Sequence, residues 1–475
     1  MIWAKFVWGV VLAGLLGFSF HRSWKLEHGN RPDGTYNEKN GIETVVLVEP
    51  TALFWILLAF FVLFIVFFGW QNGMTRFEAL MIDVMLILCV YYLVLLIILP
   101  LLRNRFSARA CALLWLVPAF LSWQGHALMR TTTLPKATIY IPQNTISIIG
   151  IIWLVGFIAV GGYFLISHLI FSINVRRKTE DVTDADVLAV WQSEQEKLNY
   201  LRPVRLLRGD VSAPFSMGRT RLARCTVLPN RSYTQEELSM IFSHELHHLQ
   251  RCDVSTKAFL CMCNALCWFN PLVWIATRKA AEDLERSCDE IVTEGMQESQ
   301  RHAYAKLILD SAAPIRGCTT CLSAAAGTLR YRLHSVVNQK KRLLGTGILM
   351  VTLFVCVMCF GVVSLSDIHG SFSSLILPSG AEITTAYYDD YSSGNEFDEE
   401  SLINLLDGIE LEHVAGLRNP WPEKEEITII LSDGEYVSLS QKAIVVHDYH
   451  NNKNIAEYYL IKGDLDWDAL KSCLK

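Results

Sequence analysis

Charge is sparse in this chain. Only 19% of the 475 residues are charged while 52% are hydrophobic, against roughly 25% charged residues in an ordinary soluble domain. The apolar excess lies in long runs, so a purely soluble enzyme is excluded first. A disulfide framework is missing as well. Thirteen cysteines are an odd number, and only Cys473 falls in the C-terminal tail, which therefore holds no internal bridge. The eight cysteines from Cys225 to Cys321 are expected in the cytosol, where they stay reduced. The C-x-x-C pair Cys318/Cys321 has no second pair at a zinc-site spacing. The pair Cys356/Cys359 sits in an apolar run, where packing accounts for it. Nor is the chain fibrous or disordered, since 13 Trp, 16 Tyr and 23 Phe exclude collagen-like, coiled-coil and disordered classes.

What charge there is divides unevenly. From Ile368 onward there are 7 Lys and Arg against 20 Asp and Glu, a net of −13, and the remainder is +8 (35 against 27). An acidic tail thus follows a basic, membrane-rich body. A membrane span needs about 20 mainly apolar residues. The candidates are Ile2–Phe20, Thr51–Trp70, Phe77–Leu102, Cys111–Trp123, Ile146–Ile173 and Leu344–Leu365; the fourth is short and holds Pro118, but Ala108–Met129 extends it. Basic residues mark cytosolic loops. Arg103, Arg105 and Arg109 follow the third span, Arg176, Arg177 and Lys178 follow the fifth, and Lys340, Lys341 and Arg342 precede the last. Six spans satisfy all three clusters, with the first span retained rather than cleaved as a signal peptide. The expected organisation is a membrane bundle (1–173), a cytosolic body (174–342), a last span (343–366) and an extracytoplasmic domain (367–475) in the plasma membrane. The apolar run Ala258–Ala276 inside the body is read as a buried or membrane-abutting helical hairpin, because Asn270-Pro271 breaks a helix.

The chemistry concentrates in Ser243-His244-Glu245-Leu246-His247-His248, which contains H-E-x-x-H. Residues four apart on a helix share one face, so His244 and His248 can converge on one metal ion. Glu245 stands beside them to take a proton from a metal-bound water. Thr234 and Glu237 form a capping-box pattern, and neither Pro nor Gly interrupts Gln235–Gln250, so a helix is expected there. His247 is at the wrong offset. Two histidines and a water leave one ligand open. Glu285, 37 residues after His248, is the candidate, with Asp289 on the same face to orient a ligand imidazole. A solvated charged helix is the alternative for that stretch. Cys288 points away from Glu285 and is discounted as a ligand.

These residues, taken with Ala213-Pro214-Phe215-Ser216-x-Gly218, Val227-Leu228-Pro229, Arg251-x-Asp253, Trp268-Phe269-Asn270-Pro271 and Glu285-x-x-Cys288-Asp289-Glu290, resemble the BlaR/MecR-type transmembrane metallopeptidases. All blocks occur in the family's order, over about Phe77 to Leu365. The resemblance implies a polytopic α-helical membrane protein carrying a gluzincin-like α+β zinc peptidase that faces the cytosol. It implies one zinc ion per chain held by His244, His248 and Glu285, with Glu245 as general base and Asp253 and Asp289 behind the ligands. It also points to the strand before the metal helix, with Ser212, Ala213, Phe215 and Ser216, as the place where a substrate backbone pairs. The implied partners are a cytosolic protein substrate such as a transcriptional repressor, an external ligand, the lipid bilayer and a second copy of the chain. Direct nucleic-acid binding is not expected. Self-cleavage within Asp310–Gln339 is a further implication.

The chain departs from that family at both ends. Two extra spans precede the resemblance, and the tail lacks the S-x-x-K, S-x-N and K-T-G set of a penicilloyl-serine sensor. β-Lactam sensing is therefore not inherited. The tail reads instead as a small α+β domain. Strands are expected at Ile383–Tyr388, Glu426–Leu431, Tyr436–Leu439, Ala443–His447 and Ala456–Ile461, helices at Glu399–Leu406 and Trp467–Leu474, and a hairpin turn at Asp433-Gly434. Asp389, Asp390, Asp398, Glu399 and Glu400 form an acidic cluster whose simpler reading is a solvated surface. The leading function is a signal-transducing membrane zinc endopeptidase. A housekeeping membrane protease of the HtpX or CAAX-processing type, or a non-catalytic docking protein, is the alternative.

Overall fold

The computed structural model describes residues 2–28, 44–123, 137–218, 224–311, 326–337, 342–360, 363–377, 381–388, 397–414, 427–448 and 455–474. The chain opens with helix α1 (Ile2–Glu27), followed by α2 (Ala52–Leu102). The second is a hairpin rather than a rod. It breaks at Gly69, whose φ of 78° and ψ of 175° belong to no helix. Beyond the break the chain doubles back so closely that a Cβ on Gly73 would lie 2.6 Å from the Phe64 carbonyl oxygen. The two arms are the expected spans Thr51–Trp70 and Phe77–Leu102.

The fourth expected span, Cys111–Trp123 with its extension to Ala108–Met129, is not one continuous helix among the described residues. Its described part is a short helix, α3 (Ala108–Leu114), and a 3₁₀ turn at Val117–Trp123 that includes Pro118. Residues 124–129 lie outside the described residues. Apolar composition did not distinguish burial in lipid from burial in protein, and every residue from Ala108 to Phe120 is buried. Buried irregular backbone needs protein partners for its polar groups. Here the Tyr91 and Tyr92 hydroxyls donate to the carbonyls of Leu114 and Trp115. The Trp115 indole donates to Asp283 at 2.8 Å, and Arg103 grips the same carboxylate through two bonds of 3.0 and 2.7 Å.

Strand β1 (Ala137–Tyr140) leads into α4 (Gln143–Lys178), which runs on past the expected end at Ile173. Among the described residues, three helices are long and apolar enough to cross a membrane, Lys5–Glu27, Leu80–Leu102 and Ile148–Lys178, and Ala52–Phe67 and Thr346–Cys359 are shorter apolar helices.

The central body contains β2 (Thr179–Asp181), α5 (Ala185–Lys197), β3 (Arg205–Gly209), β4 (Phe215–Met217), β5 (Cys225–Pro229), α6 (Gln235–Gln250), α7 (Asp253–Leu266), α8 (Pro271–Val292), α9 (Glu298–Asp310) and α10 (Ala326–Val337). Its sheet runs β2-β3-β5-β4, with β3 parallel to β5 and β4 antiparallel to it. The hairpin expected over Ala258–Ala276 is α7 and the start of α8. Pro271 occupies the first turn of α8, and the Asn270 side chain accepts from the Leu272 amide at 3.0 Å. The turn between them docks on α4, where Trp153 donates to the Leu266 carbonyl and Trp268 to the Trp153 carbonyl. Only a glycine fits at Gly156, since a Cβ there would sit 2.1 Å from the Trp268 ring.

The last span is also shorter than expected. Helix α11 (Thr346–Cys359) starts after Gly345, whose φ is 92°, and from Val363 the chain is strand β6 (Val363–Gly370) rather than helix. Then follow α12 (Phe372–Ile376), β7 (Ile383–Tyr388), α13 (Glu399–Asp407), β8 (Glu410–Val414), β9 (Ile427–Leu431), β10 (Tyr436–Leu439), β11 (Ala443–Asp448), β12 (Ile455–Lys462) and α14 (Trp467–Cys473). The strand order is β1-β6-β8-β12-β11-β10-β9-β7. Phe372, Leu402, Leu406, Trp467 and Leu470 from the three helices pack with the strands in one core. Strand β1 lies parallel to β6, Ala137 opposite Val363 and Tyr140 opposite Ser366, so the loop between the bundle helices is stitched into the tail's sheet.

Candidate metal centre

Helix α6 is fixed at its start by the capping box the sequence announces. The Thr234 hydroxyl accepts from the Glu237 amide at 3.2 Å, and the Glu237 carboxylate accepts from the Thr234 amide at 2.8 Å. Helical spacing then brings His244 and His248 onto one face, their rings 4.7 Å apart and nearly perpendicular. Helix α8 returns alongside α6 and brings Glu285 to the same point.

Three ligand atoms converge there. His244 Nε2 lies 3.1 Å from His248 Nε2, 3.6 Å separates His244 Nε2 from Glu285 Oε2, and 3.7 Å separates His248 Nε2 from Glu285 Oε1. Bonds of about 2.1 Å in a tetrahedral zinc site put neighbouring ligand atoms about 3.4 Å apart. The observed triangle brackets that spacing. The other ring nitrogens are already engaged. His248 Nδ1 is 2.7 Å from Asp253 Oδ2, and His244 Nδ1 is 2.9 Å from the Tyr304 hydroxyl. With the Nδ1 atoms engaged outward, the two Nε2 atoms and a carboxylate face one another in a buried site. That donor set fits a small, borderline-soft cation.

The groups behind the ligands differ in part from the expectation. Asp253 meets His248 directly. Asp289 reaches His244 through Tyr304, whose hydroxyl donates to Asp289 Oδ1 at 2.9 Å, while Asp289 itself stays 3.4 Å from His244 Nδ1. Asp289 is also forked by Arg332, at 2.8 Å on each oxygen. Glu285 is flanked by Lys257 Nζ at 3.1 Å and Arg332 Nη1 at 3.4 Å. Cys288 lies 3.5 Å from His248 Nδ1, on the edge of the ring away from Glu285. Glu245 is buried on α6 next to His244.

These contacts set the protonation states. Burial alone would raise the Glu285 carboxyl, but Lys257 and His248 hold it well below its usual range. Burial likewise opposes ionisation of Asp253, and the hydrogen bond and charge of His248 reverse it. Burial disfavours the His248 imidazolium, yet its contacts with Cys288, Glu285 and Asp253 carry it well above the ordinary value. His247 is the opposite case. Burial and the nearby Arg251 push it down to about 3, and its Nδ1–H donates to the Ser243 carbonyl at 2.6 Å. It is a neutral core histidine.

The candidate substrate residues lie on and before β4, the terminal strand of its sheet, which packs against α6. Ser212 is exposed, whereas Ala213, Phe215 and Ser216 are buried. Phe215 sits in a small core with Ala213, and the Ser216 hydroxyl pairs with that of Thr226 at 2.8 Å. The side chains of Ala213, Phe215 and Ser216 thus face the fold.

Lys257, Tyr304, Arg332 and Glu27 escaped the sequence reading. Each meets the site through partners too distant in sequence for any period to reveal. The Cys318/Cys321 pair and most of the suspected self-cleavage segment fall outside the described residues.

Comparison with known proteins agrees with this geometry. The regulatory protein BlaR1 of Bacillus licheniformis is 25% identical over 230 residues, which cover 46% of this chain and 37% of that protein. The chain therefore matches well under half the length of this curated relative. Residues 124–336 match the family described as BlaR1 peptidase M56. That segment carries the convergent histidines and glutamate, and over it the chain is similar to the BlaR/MecR-type membrane metallopeptidases.

Proposed function

We propose that this protein is a membrane zinc endopeptidase of the signal-transducer type, cleaving a cytosolic regulatory protein in response to an event outside the membrane. The observation that carries this is the convergence of His244, His248 and Glu285 beside Glu245, within the segment that matches the M56 family. His244, His248 and Glu285 would hold the metal. A bound zinc ion would supply a water of pKa near about 7 and polarise the scissile carbonyl. Glu245 takes the proton of the attacking water and returns it to the departing amine nitrogen. Asp253 and the Tyr304–Asp289 pair hold the two imidazoles with Nε2 facing inward. Arg332 and Lys257 balance the carboxylates that crowd the site. A peptide strand laid along β4 would pass the metal helix, with main-chain hydrogen bonds supplying affinity without strong sequence preference.

The body 174–342 is assigned to the cytosol and the acidic tail 367–475 to the outside, as the sensor. A transcriptional repressor is the favoured substrate class, because the relative bears the name regulatory protein. The decisive experiment compares purified full-length variants by metal content and by cleavage of a candidate regulator. The unaltered chain should carry one zinc. Glu245→Gln should keep the zinc and lose cleavage, and His244→Ala and His248→Ala should lose both. Unchanged zinc content in the two histidine variants would refute the assignment.

A further inference from the structure

The N-terminal helix lies outside the stretch that resembles the family, yet its inner end reaches the metal centre. We propose that Glu27, the last residue of α1, is a positioning residue for the metal-bearing helices, so that α1 is a working part of the peptidase rather than an added anchor. This rests on the metal-centre reading above. Glu27 is buried, and its carboxylate takes Arg251 Nη2 at 2.8 Å and Arg109 Nη2 at 3.1 Å. Arg251 caps the C-terminal end of α6, the helix of His244 and His248. Its other terminal nitrogen, Nη1, donates to the Ser287 hydroxyl at 2.8 Å and approaches Cys288 Sγ at 3.3 Å, both on α8, the helix of Glu285. One guanidinium therefore ties the two ligand-bearing helices together, and Glu27 fixes where that guanidinium sits.

A second contact repeats the arrangement. Thr44, just ahead of α2, donates its amide to the Gln250 carbonyl at 2.7 Å, at the last turn of α6, and its hydroxyl to Glu27 at 3.0 Å. The opposite end of α1 is held elsewhere. Lys5 Nζ donates to the Met358 and Phe360 carbonyls at 3.0 and 2.6 Å, where α11 ends and the chain turns towards the tail's sheet. Between these ends α1 lies along α11, with Gly17 so close that a Cβ there would meet Met350 Sδ at 2.6 Å. A helix of 26 residues, about 39 Å long, thus joins the root of the tail domain to the end of the metal helix. Charge is what Glu27 contributes. It is buried between two arginines, and a neutral side chain there leaves Arg251 without the anion that orients it.

The test uses full-length protein in detergent and cobalt as the metal, because its visible absorption reports coordination geometry independently of proteolysis. Glu27→Gln should bind cobalt about 10–100-fold more weakly, the range for groups that orient ligands, with a shifted spectrum. Glu27→Asp keeps the charge but withdraws it by one methylene, and should fall between the two. Lys5→Gln, at the far end of the same helix, should bind as the unaltered chain does. Wild-type affinity and spectrum in Glu27→Gln or Glu27→Asp would overturn the proposal. An equal loss in Lys5→Gln would overturn it too, by showing that helix docking in general is at stake. Failure of both Glu27 variants to accumulate in the membrane would assign the residue a purely structural role. If the unaltered chain binds no cobalt, the metal-centre reading itself fails and takes this proposal with it.

Discussion

His248 faces two ways, and its two edges pull against each other. Its Nδ1 donates to Asp253, while Nε2 points at His244 and Glu285. Burial disfavours the charged ring, but its contacts with Cys288, Glu285 and Asp253 win and raise its pKa well above 6.5. The sign follows directly. A raised histidine pKa gives the unloaded fold a stabilisation fully present below about 6.5 and lost as pH rises through the folded value. The unloaded ring thus holds its second proton to higher pH than a free imidazole does, and metal uptake must displace that proton from Nε2. Calorimetric titration with zinc in buffers of different ionisation enthalpy should show net proton release. Asp253→Asn removes one cause of the elevation, so it should release fewer protons and bind about 10–100-fold more weakly. An enthalpy that is the same in every buffer would contradict this account.

At the scale of elements, local chemistry was legible and tertiary substitution was not. The capping box at Thr234, the i, i+4 histidines and the Asn270-Pro271 break are short-range signals, and the structure has the corresponding helix ends where they fall. Strands β7 and β10 coincide with the expected segments because alternation and the Asp433-Gly434 turn are also local. The loop's β1 and the apolar start of β6 went unread, since each is defined mainly by the other. Glu27 pairs with a residue 224 positions away, and nothing in its own helix marks it. The segment after Ser107 reads as a span because the sequence carries its apolarity but not the hydroxyls that satisfy its bent backbone. Those hydroxyls give the test. Tyr91→Phe and Tyr92→Phe each strand a buried carbonyl, which costs about 1–3 kcal/mol, so each should lower the unfolding midpoint in detergent. Tyr163→Phe, at a ring 66% exposed on α4, is the control and should leave the midpoint unchanged. Equal midpoints in all three would mean that α3 is held by packing alone.

Across the whole molecule, the basic clusters become an argument about sidedness once their positions are known. Arg103 grips Asp283 on α8, Arg109 meets Glu27, and Arg342 pairs with Glu290 at 2.7 Å. Ser107 and Arg105 exchange backbone hydrogen bonds with Leu343. Arg176, Arg177 and Lys178 end α4 where the body begins. The inner ends of α1, α2, α4 and α11 therefore gather on the peptidase body, and their positive charge gathers with them. At the opposite ends Lys5 meets the end of α11, and β1 pairs with β6. Positive charge is retained on the cytosolic side of a bilayer, so the body should face the cytosol and the sheet domain the outside. Single cysteines placed in a cysteine-free background decide this in intact cells. An impermeant maleimide should label Asp433→Cys, on the exposed turn of the tail, and should reach Ser212→Cys, exposed before β4, only after the membrane is opened. Labelling of Ser212→Cys in intact cells would reverse the orientation, place the metal centre outside, and remove the cytosolic regulator as its substrate.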